Sequence, residues 1–172
     1  MKDQNSKKCL TNQEIMEHIM NDIEKIDIGR FDYIYIPNKS DFTKAMTHSI
    51  LETCKRLDLR VVREVDIKMP EHIRIAHKRK TCIGKVDFII INPDEKDIAI
   101  ELDSSNKQYN YKKLEVSAEI GYKAVWIVWK RNTSGKPYKS SYKDDHSQKN
   151  HELGFVNNNV SILRHTFHPK LK

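Results

Sequence analysis

Two apolar segments joined by a short turn constrain the fold of this chain more than any other feature. The run VDFIIIN, Val86 to Asn92, is too continuously apolar for a half-exposed strand, and Asn-Pro-Asp ends it in a turn. The segment DIAIEL, Asp97 to Leu102, follows at once and is predicted to be its hairpin partner. We therefore expect two neighbouring strands in the interior of a sheet.

A helix and a further buried strand follow this hairpin. Apolar residues recur at helical spacing from about Gln108 to Ile120, and Gly121 is suited to the position just after a helix. The run KAVWIVW, Lys123 to Trp129, then predicts a buried strand. A strand, a helix and another strand form a crossover, so we expect strand 123–129 to lie parallel to strand 97–102.

The N-terminal third predicts two amphipathic helices around a short extended segment. Thr11 and Glu14 have the spacing of a capping box at the start of the first helix. The expected bounds are Thr11 to Ile26 for the first helix, 31–37 for the extended segment, and Ser40 or Asp41 to about Leu57 for the second helix. The β-branched run RVVREVDIKM then predicts a strand, and Pro70 to Lys80 is expected to be a basic connection.

The predicted order is α, β, β, β, α, β, which is an α/β arrangement. A length of 172 residues is typical of one domain. We expect a single domain over 1–172 with its core at about 41–130 and an N-terminal helical segment at 11–39. The remainder, 131–172, is expected to be a basic extension consisting of a polar loop and a small strand from Val160 to Arg164.

The charge distribution indicates a partner that is a polyanion. Lys and Arg total 31 against 24 Asp and Glu, and the excess is concentrated at 55–80 and 130–172. Two basic regions around a more acidic centre suit a protein that binds nucleic acid with its flanks. The alternative is a soluble surface with uneven charge.

Several other classes of protein lack support. No apolar run approaches the roughly 18 residues that span a bilayer, and the start MKDQNSKK has no signal-peptide core, so we expect a cytoplasmic protein without membrane insertion. The three cysteines, Cys9, Cys54 and Cys82, form no CxxC pair, which argues against a disulfide framework or a zinc ribbon. No nucleotide-binding glycine motif and no serine-hydrolase motif is present.

Acidic residues lie at both strands of the predicted hairpin. A hairpin centred on residues 92–96 brings Asp87 near Glu101, and strand alternation puts Glu101 and Asp103 on one face. Like charges that face each other destabilise a sheet, so a hard divalent cation is the simplest compensation, with Mg²⁺ as the best fit and Mn²⁺ as a substitute. Such an ion polarises a phosphodiester and lowers the pKa of a water molecule. The alternative is that these carboxylates are solvated at strand ends.

The segments VDFIIINPDEKDIAIELDSS and YKKLEVSAEIGYKAVWIVW resemble the core of the PD-(D/E)XK nuclease superfamily, over about residues 41–130. The resemblance implies a restriction-endonuclease-like core, which is a central mixed β-sheet flanked by helices. It implies that Asp87 and Glu101 bind Mg²⁺, with Asp103 in the place of the usual lysine. An E-x-D subset of the superfamily has this pattern, so Asp103 is included as a third metal ligand. The resemblance also implies a further catalytic acid before or on the first strand, for which Glu52 is the first candidate and Glu64 the second.

Basic side chains complete the predicted site. A cation near the scissile phosphate is desirable because negative charge builds there in the transition state. Lys107, Lys112 and Lys113 follow Asp103 and are candidates to replace the motif lysine, and of these Lys107 is assigned to catalysis. Ser104 and Ser105 are expected to cap the helix. The residues assigned to DNA contact are Arg74, Lys78, Arg79, Lys80, Lys112, Lys113, Arg131, Lys136 and Lys139. A solvated surface is the alternative for these basic residues, and a partner surface is a further alternative for Arg131, Lys136 and Lys139. A bond to a phosphate is the alternative for Ser104 and Ser105.

Two tryptophans lie on the last buried strand. Trp126 and Trp129 are three residues apart, so they are expected on opposite faces, with Trp126 in the core and Trp129 near the edge of the site.

The leading hypothesis is a Mg²⁺-dependent DNA endonuclease, either a restriction endonuclease or the strand-cleaving small subunit of one. Because few residues lie outside the core, double-stranded DNA would be recognised through a homodimer or a larger DNA-recognising subunit. The alternatives are a catalytically inactive subunit that binds nucleic acid or supports assembly, and a nuclease for RNA or single strands.

Overall fold

The computed structural model describes residues 9–28, 38–105, 107–131, 138–144 and 159–169. The backbone alone is described for 138–144 and 168–169. The predicted extended segment at 31–37 and the predicted DNA contact Lys136 lie outside the described residues.

The described chain forms an α/β fold with a mixed, six-stranded sheet flanked by helices. The elements are α1 (Asn12–Glu24), α2 (Lys39–Arg56), β1 (Arg60–Lys68), α3 (Glu71–Ala76), β2 (Ile83–Ile91), β3 (Ile98–Asp103), α4 (Gln108–Glu119), β4 (Lys123–Arg131), β5 (Tyr138–Asp144) and β6 (Val160–Pro169). The strand order is β1-β2-β3-β4-β6-β5, in which β3, β4 and β6 are parallel and the other neighbours are antiparallel. The predicted α/β class and the parallel β3–β4 pair are confirmed.

The two N-terminal helices begin at capping boxes. Thr11 accepts from the backbone N–H of Glu14, and Glu14 in turn accepts from the backbone of Thr11, as predicted. The cap of α2 is Asn38, which pairs reciprocally with Asp41. The prediction of Ser40 or Asp41 as the cap was therefore wrong by two or three residues, because Asp41 serves as the third helical residue of the box.

The hairpin of β2 and β3 has the predicted register. Phe88 lies opposite Ile100 and Ile89 opposite Ala99, and the same register continued by one pair places Asp87 opposite Glu101. On its other side β3 pairs with β4, where Glu101 lies beside Trp126. The acids are thus held on two central strands of the sheet.

The two faces of the sheet carry separate apolar cores. One face packs against α1 and α2, and the other packs against α4. Trp126 lies in the α4 core and Trp129 in the opposite core, where it stacks on Phe42 with ring centroids 5.5 Å apart. The prediction of opposite faces is confirmed. The placement of Trp129 near the edge of the site was wrong, because that ring is buried on the face away from the acids.

Two predicted connections contain regular structure. The basic connection after β1 includes the six-residue helix α3. The region expected to be a polar loop includes β5, which pairs along β6 and accounts for the extension of β6 to Pro169. Pairing with a neighbouring strand overrides the weak local pattern in both β5 and β6. Among the described residues, the helices are all too short or too polar to span a bilayer.

Candidate active site

The hairpin gathers three carboxylates at one end of the sheet. Oδ2 of Asp87 accepts the backbone N–H of Leu102 at 2.8 Å, which ties the β2 acid to β3. Glu101 and Asp103 lie on the α4 face of β3 and are 1% and 4% exposed. The charges of Asp87 and Asp103 both act on Glu101, so the three groups form one electrostatic cluster.

Burial raises the free energy needed to ionise Asp87 and Glu101. The pKa of Glu101 is raised from 4.5 to about 8, first by desolvation and then by the charge of Asp87, while the ammonium of Lys113 lowers it in part. Desolvation also raises the pKa of Asp87, against the N–H of Leu102 and the charge of Lys113. A pair of neighbouring carboxyl groups, one buried and one half-buried, with raised pKa values is typical of a functional site, and structural ion-pair networks share this property.

Lys113 is the cation of this site. It extends from α4, and its Nζ lies 2.6 Å from Oε1 of Glu101 as an ion pair outside hydrogen-bond alignment. The same ammonium donates to the main-chain oxygen of Lys85 at 2.5 Å. The side chain is 8% exposed, and its stem crosses β2 at Gly84, where an added Cβ would lie 2.9 Å from Lys113 Cδ.

The structure brings Lys113, and not Lys107, to the acids. Lys107 is exposed at the N-cap of α4, and it makes no side-chain hydrogen bond or ion pair with the described residues. Lys107 is the nearest of the three candidate lysines to Asp103 in sequence, whereas the direction of the helix decides which side chain returns to the acids. Lys113, assigned to DNA contact, is the residue that reaches Glu101.

Both carboxylate oxygens of Asp103 accept hydrogen bonds from residues that follow it, in the turn and in α4. Its Oδ2 accepts from Nδ2 of Asn110 at 2.7 Å, and its Oδ1 accepts from the backbone N–H of Ser105 at 3.2 Å. The hydroxyl of Ser105 also lies 3.4 Å from Oδ1. Ser105 therefore bonds Asp103 and does not cap α4, whose N-cap residue Lys107 makes no side-chain cap bond. The serine-cap prediction is wrong at this position.

The further acid at the cluster is Glu64. The neighbouring residue pairs of β1 and β2, on both sides of this position, place Glu64 opposite Asp87. The charge of Glu64 raises the pKa of Asp87. Its φ of 53° is in the left-handed region, which is strained for a residue with a Cβ. Glu52, the first candidate, is exposed on α2 and does not appear among the main charges acting on Asp87 or Glu101.

The side chains of β1 and β2 switch from one face of the sheet to the other near Glu64 and Asp87. On β1, Val61 packs with the α1/α2 core, whereas Val65, an even number of residues later, packs with the α4 core. On β2, Val86 belongs to the α4 core and Phe88 to the opposite core. Regular alternation would put each pair on a single face, so β1 and β2 are both distorted where Glu64 and Asp87 face each other.

Some residues predicted to contact DNA are engaged within the protein. The guanidinium of Arg74 donates to Glu71 at 2.9 Å and to the main-chain oxygen of Arg79 at 3.2 Å. Lys112 pairs with Glu115 at 2.6 Å. Both side chains are thus partly engaged by neighbours in the protein.

Other predicted DNA contacts lie away from the acids. Arg131 stands over the ring of Phe42 at 5.6 Å, on the face opposite Glu101. Lys139 is on β5, for which the backbone alone is described. Neither residue is brought to the carboxylates.

A basic cleft of about 560 Å³ opens beside the cluster. The side chains that define it here are Lys78, Arg79, Lys80, Lys85, Asn110 and Lys113. Within the described part of the chain, no acidic residue lines this cleft.

The carboxylates are compatible with a metal ion only in part. In the described ranges, no three His, Cys, Asp or Glu side chains are arranged as a metal site. Oδ1 of Asp87 and both oxygens of Glu101 accept no hydrogen bond from the described residues, although Oε1 of Glu101 lies 2.6 Å from the ammonium of Lys113. Both oxygens of Asp103 accept hydrogen bonds. Within the described chain, Asp87 and Glu101 thus offer three carboxylate oxygens that accept no hydrogen bond, while both oxygens of Asp103 are already hydrogen-bonded.

Comparison with known proteins returned no match to a protein-family model, a curated protein or a solved structure.

Proposed function

We propose that this chain is a Mg²⁺-dependent nuclease that hydrolyses phosphodiester bonds of double-stranded DNA, with a restriction-endonuclease-like core of the PD-(D/E)XK superfamily. The observation that carries the proposal is the pairing of the half-buried Asp87 with the buried Glu101 across a central hairpin, with the ammonium of Lys113 at 2.6 Å from Glu101. Hydrolysis adds water across a P–O bond and leaves a phosphate end and a hydroxyl end.

Asp87 and Glu101 are the residues that would hold the ion. Carboxylate oxygens are the ligands Mg²⁺ prefers, and the oxygens of the described cluster that accept no hydrogen bond belong to these two acids. Bound there, Mg²⁺ would polarise the phosphodiester and lower the pKa of the attacking water. Asp103 would become a ligand of the ion only by giving up its hydrogen bond from Ser105 or from Asn110.

Lys113 supplies the positive charge that the motif position lacks. Its ammonium lies beside Glu101 in a site shielded from solvent, where a cation stabilises charge on phosphoryl oxygens more strongly than in water. The N–H of Leu102 fixes the orientation of Asp87, so the acid on β2 is held in place before substrate arrives.

Specific observations favour a second candidate, a catalytically inactive nucleic-acid-binding subunit. Lys113 supplies a counter-charge to Glu101, and Asn110 donates a hydrogen bond to Asp103, so both acids have partners without a metal. In such a protein the cluster would hold α4 to β3, and only the basic surface would act on DNA. Binding of a divalent ion separates the two candidates.

The experiment combines plasmid nicking with calorimetry. Supercoiled plasmid is incubated with Mg²⁺ and the wild-type chain, alone and with a candidate DNA-recognising partner. Asp87→Asn keeps an oxygen for the N–H of Leu102, and Glu101→Gln keeps the shape of the side chain. We expect each to lower the nicking rate by roughly 10²-fold or more, while Glu52→Gln, on the exposed side of α2, leaves it unchanged.

Two results would overturn the proposal. One is full nicking by the Asp87→Asn, Glu101→Gln double variant. The other is a titration with Mn²⁺ in which the wild-type chain shows no binding that depends on Asp87 and Glu101, which would establish the inactive subunit. Competition by RNA or single-stranded DNA that exceeds competition by duplex would reassign the substrate.

A further inference from the structure

The basic cleft shares a wall with the acidic cluster. Lys113 lines the cleft and pairs with Glu101, and Asn110 lines it and donates to Asp103. A ligand in the cleft therefore lies directly beside the carboxylates, on the α4 side of the sheet.

The loop that forms the outer wall of the cleft is held in place. The guanidinium of Arg79 stacks over the ring of Tyr109 at 4.0 Å, and the ring of His77 packs on the same tyrosine at 5.5 Å. The guanidinium of Arg74 donates a hydrogen bond to the main-chain oxygen of Arg79. Stacking fixes the plane of the guanidinium, so less conformational entropy is lost when Arg79 binds an anion.

The positive charge of the cleft is largely uncompensated. Lys78, Arg79 and Lys80 are exposed and form no ion pair with the described residues. Lys85 faces Asp66 at 3.9 Å, but both side chains are about 60% exposed, and such a pair contributes little. Lys113 is the only one of these cations in direct contact with the acidic cluster within the described chain.

We infer that the basic cleft binds the backbone phosphate next to the scissile phosphate on the same DNA strand. The inference rests on the proposed nuclease function and specifies its substrate: a polynucleotide that continues past the cleavage point on the α4 side. Lysine and arginine side chains around a cleft with no acidic lining are suited to phosphate oxygens. Contacts to a phosphate that does not react contribute equally to the ground state and the transition state, so their loss raises KM and leaves kcat unchanged.

The test pairs two double variants with equal loss of charge. Lys78→Ala with Lys80→Ala removes two exposed cations from the cleft, and Lys96→Ala with Lys123→Ala removes two exposed cations from the opposite end of the central strands. Binding of a fluorescein-labelled duplex to the full chain is measured by anisotropy in EDTA over a series of salt concentrations. We expect the cleft variant to bind roughly ten-fold more weakly, with a log–log salt slope smaller by about 1 to 2, while the control changes less than about two-fold.

A second measurement connects binding to cleavage. With Mg²⁺, the cleft variant should raise KM by a similar factor and retain the wild-type kcat. Equal affinities of the cleft variant and the control would overturn the inference even if the chain cleaves DNA. Displacement of the duplex by inorganic phosphate at constant ionic strength would also overturn it, because the cleft would then be a site for a small anion. If the cleft variant loses affinity for the duplex but the wild-type chain never cleaves DNA, the cleft is still a site for the DNA backbone. That pair of results rejects only the nuclease.

Discussion

The stem of Lys113 crosses strand β2 over Gly84, and a Cβ at Gly84 would lie 2.9 Å from Cδ and 3.0 Å from Cγ of that lysine. The absence of a side chain at one strand position therefore opens the path by which a helix residue reaches Glu101. Contacts this close force the lysine to move, and a flexible stem can do so without unfolding the sheet.

Gly84→Ala is therefore expected to displace the ammonium and leave the fold intact. The nuclease proposal predicts a fall of roughly ten-fold or more in kcat, with a change in unfolding free energy below about 1 kcal/mol. Single-turnover cleavage and urea unfolding measure the two effects. Gly121→Ala is the control, because Gly121 has a φ of 113° with no atom within 4 Å of an added Cβ. That change should destabilise the protein by about 1 kcal/mol and leave kcat unchanged; equal kcat losses in both variants would contradict the role of Gly84.

Replacement of the lysine itself gives a larger effect. Lys113→Ala leaves Glu101 buried without its counter-charge, so the pKa of Glu101 should rise further, since Lys113 lowers it. We expect a loss of roughly 10²-fold or more in kcat. Lys112→Ala, the neighbouring residue on α4, removes only a partly exposed pair with Glu115 and should change kcat by less than about two-fold. If Lys107→Ala is as damaging as Lys113→Ala, the assignment of the site cation is wrong.

The acidic pair was predictable from the sequence because its determinants are local. A turn flanked by two apolar strands fixes the register, and the two-residue period of a strand fixes the faces of Glu101 and Asp103. Both steps use contacts between residues close in sequence. The pairing of Asp87 with Glu101 continues the register that the turn sets.

Lys113 was harder to assign because its position depends on packing between α4 and β2. The sequence does contain a sign that Lys113 is buried. Lys113 lies four residues after Tyr109 and four before Ser117, and all three are buried on one face of the helix. A lysine on such a face needs a partner, which points to the acids. The distortion at Glu64 has no comparable signal, because a non-glycine residue in the left-handed region is selected by its surroundings.

The raised pKa of Glu101 predicts how stability depends on pH in the metal-free protein. Its pKa is about 8 in the folded chain against 4.5 in an ordinary setting, so the folded state binds more protons than the unfolded state between these values. The stabilisation is fully present below pH 4.5 and is lost as pH rises through about 8, with a slope of at most about 1.4 kcal/mol per pH unit. Asp87 contributes with the same sign.

Urea unfolding in EDTA at several pH values across this window measures the slope. Glu101→Gln should flatten it, although the absolute stability will also fall because Lys113 loses its partner. Glu52→Gln, at an exposed position, should retain the wild-type slope. An unchanged slope in Glu101→Gln would show that the carboxyl of Glu101 does not retain its proton in the folded state.

Glu64 provides a test of whether backbone strain at the cluster serves the site. Glu64 and Asp58 have nearly the same left-handed φ, 53° and 55°, but Asp58 lies in the turn between α2 and β1. Glycine adopts this φ freely, so Glu64→Gly and Asp58→Gly should each relieve strain on the order of 1 kcal/mol, reduced at Glu64 by the preference of strands for larger residues. Only Glu64→Gly removes a charge that acts on Asp87, so only that variant should lower the pKa of Asp87 and change Mn²⁺ affinity or kcat. Thermal unfolding, calorimetric titration with Mn²⁺ and single-turnover cleavage measure these effects in both variants. Matching metal affinities and rates in the two would mean that Glu64 shapes the strand and takes no part in the chemistry.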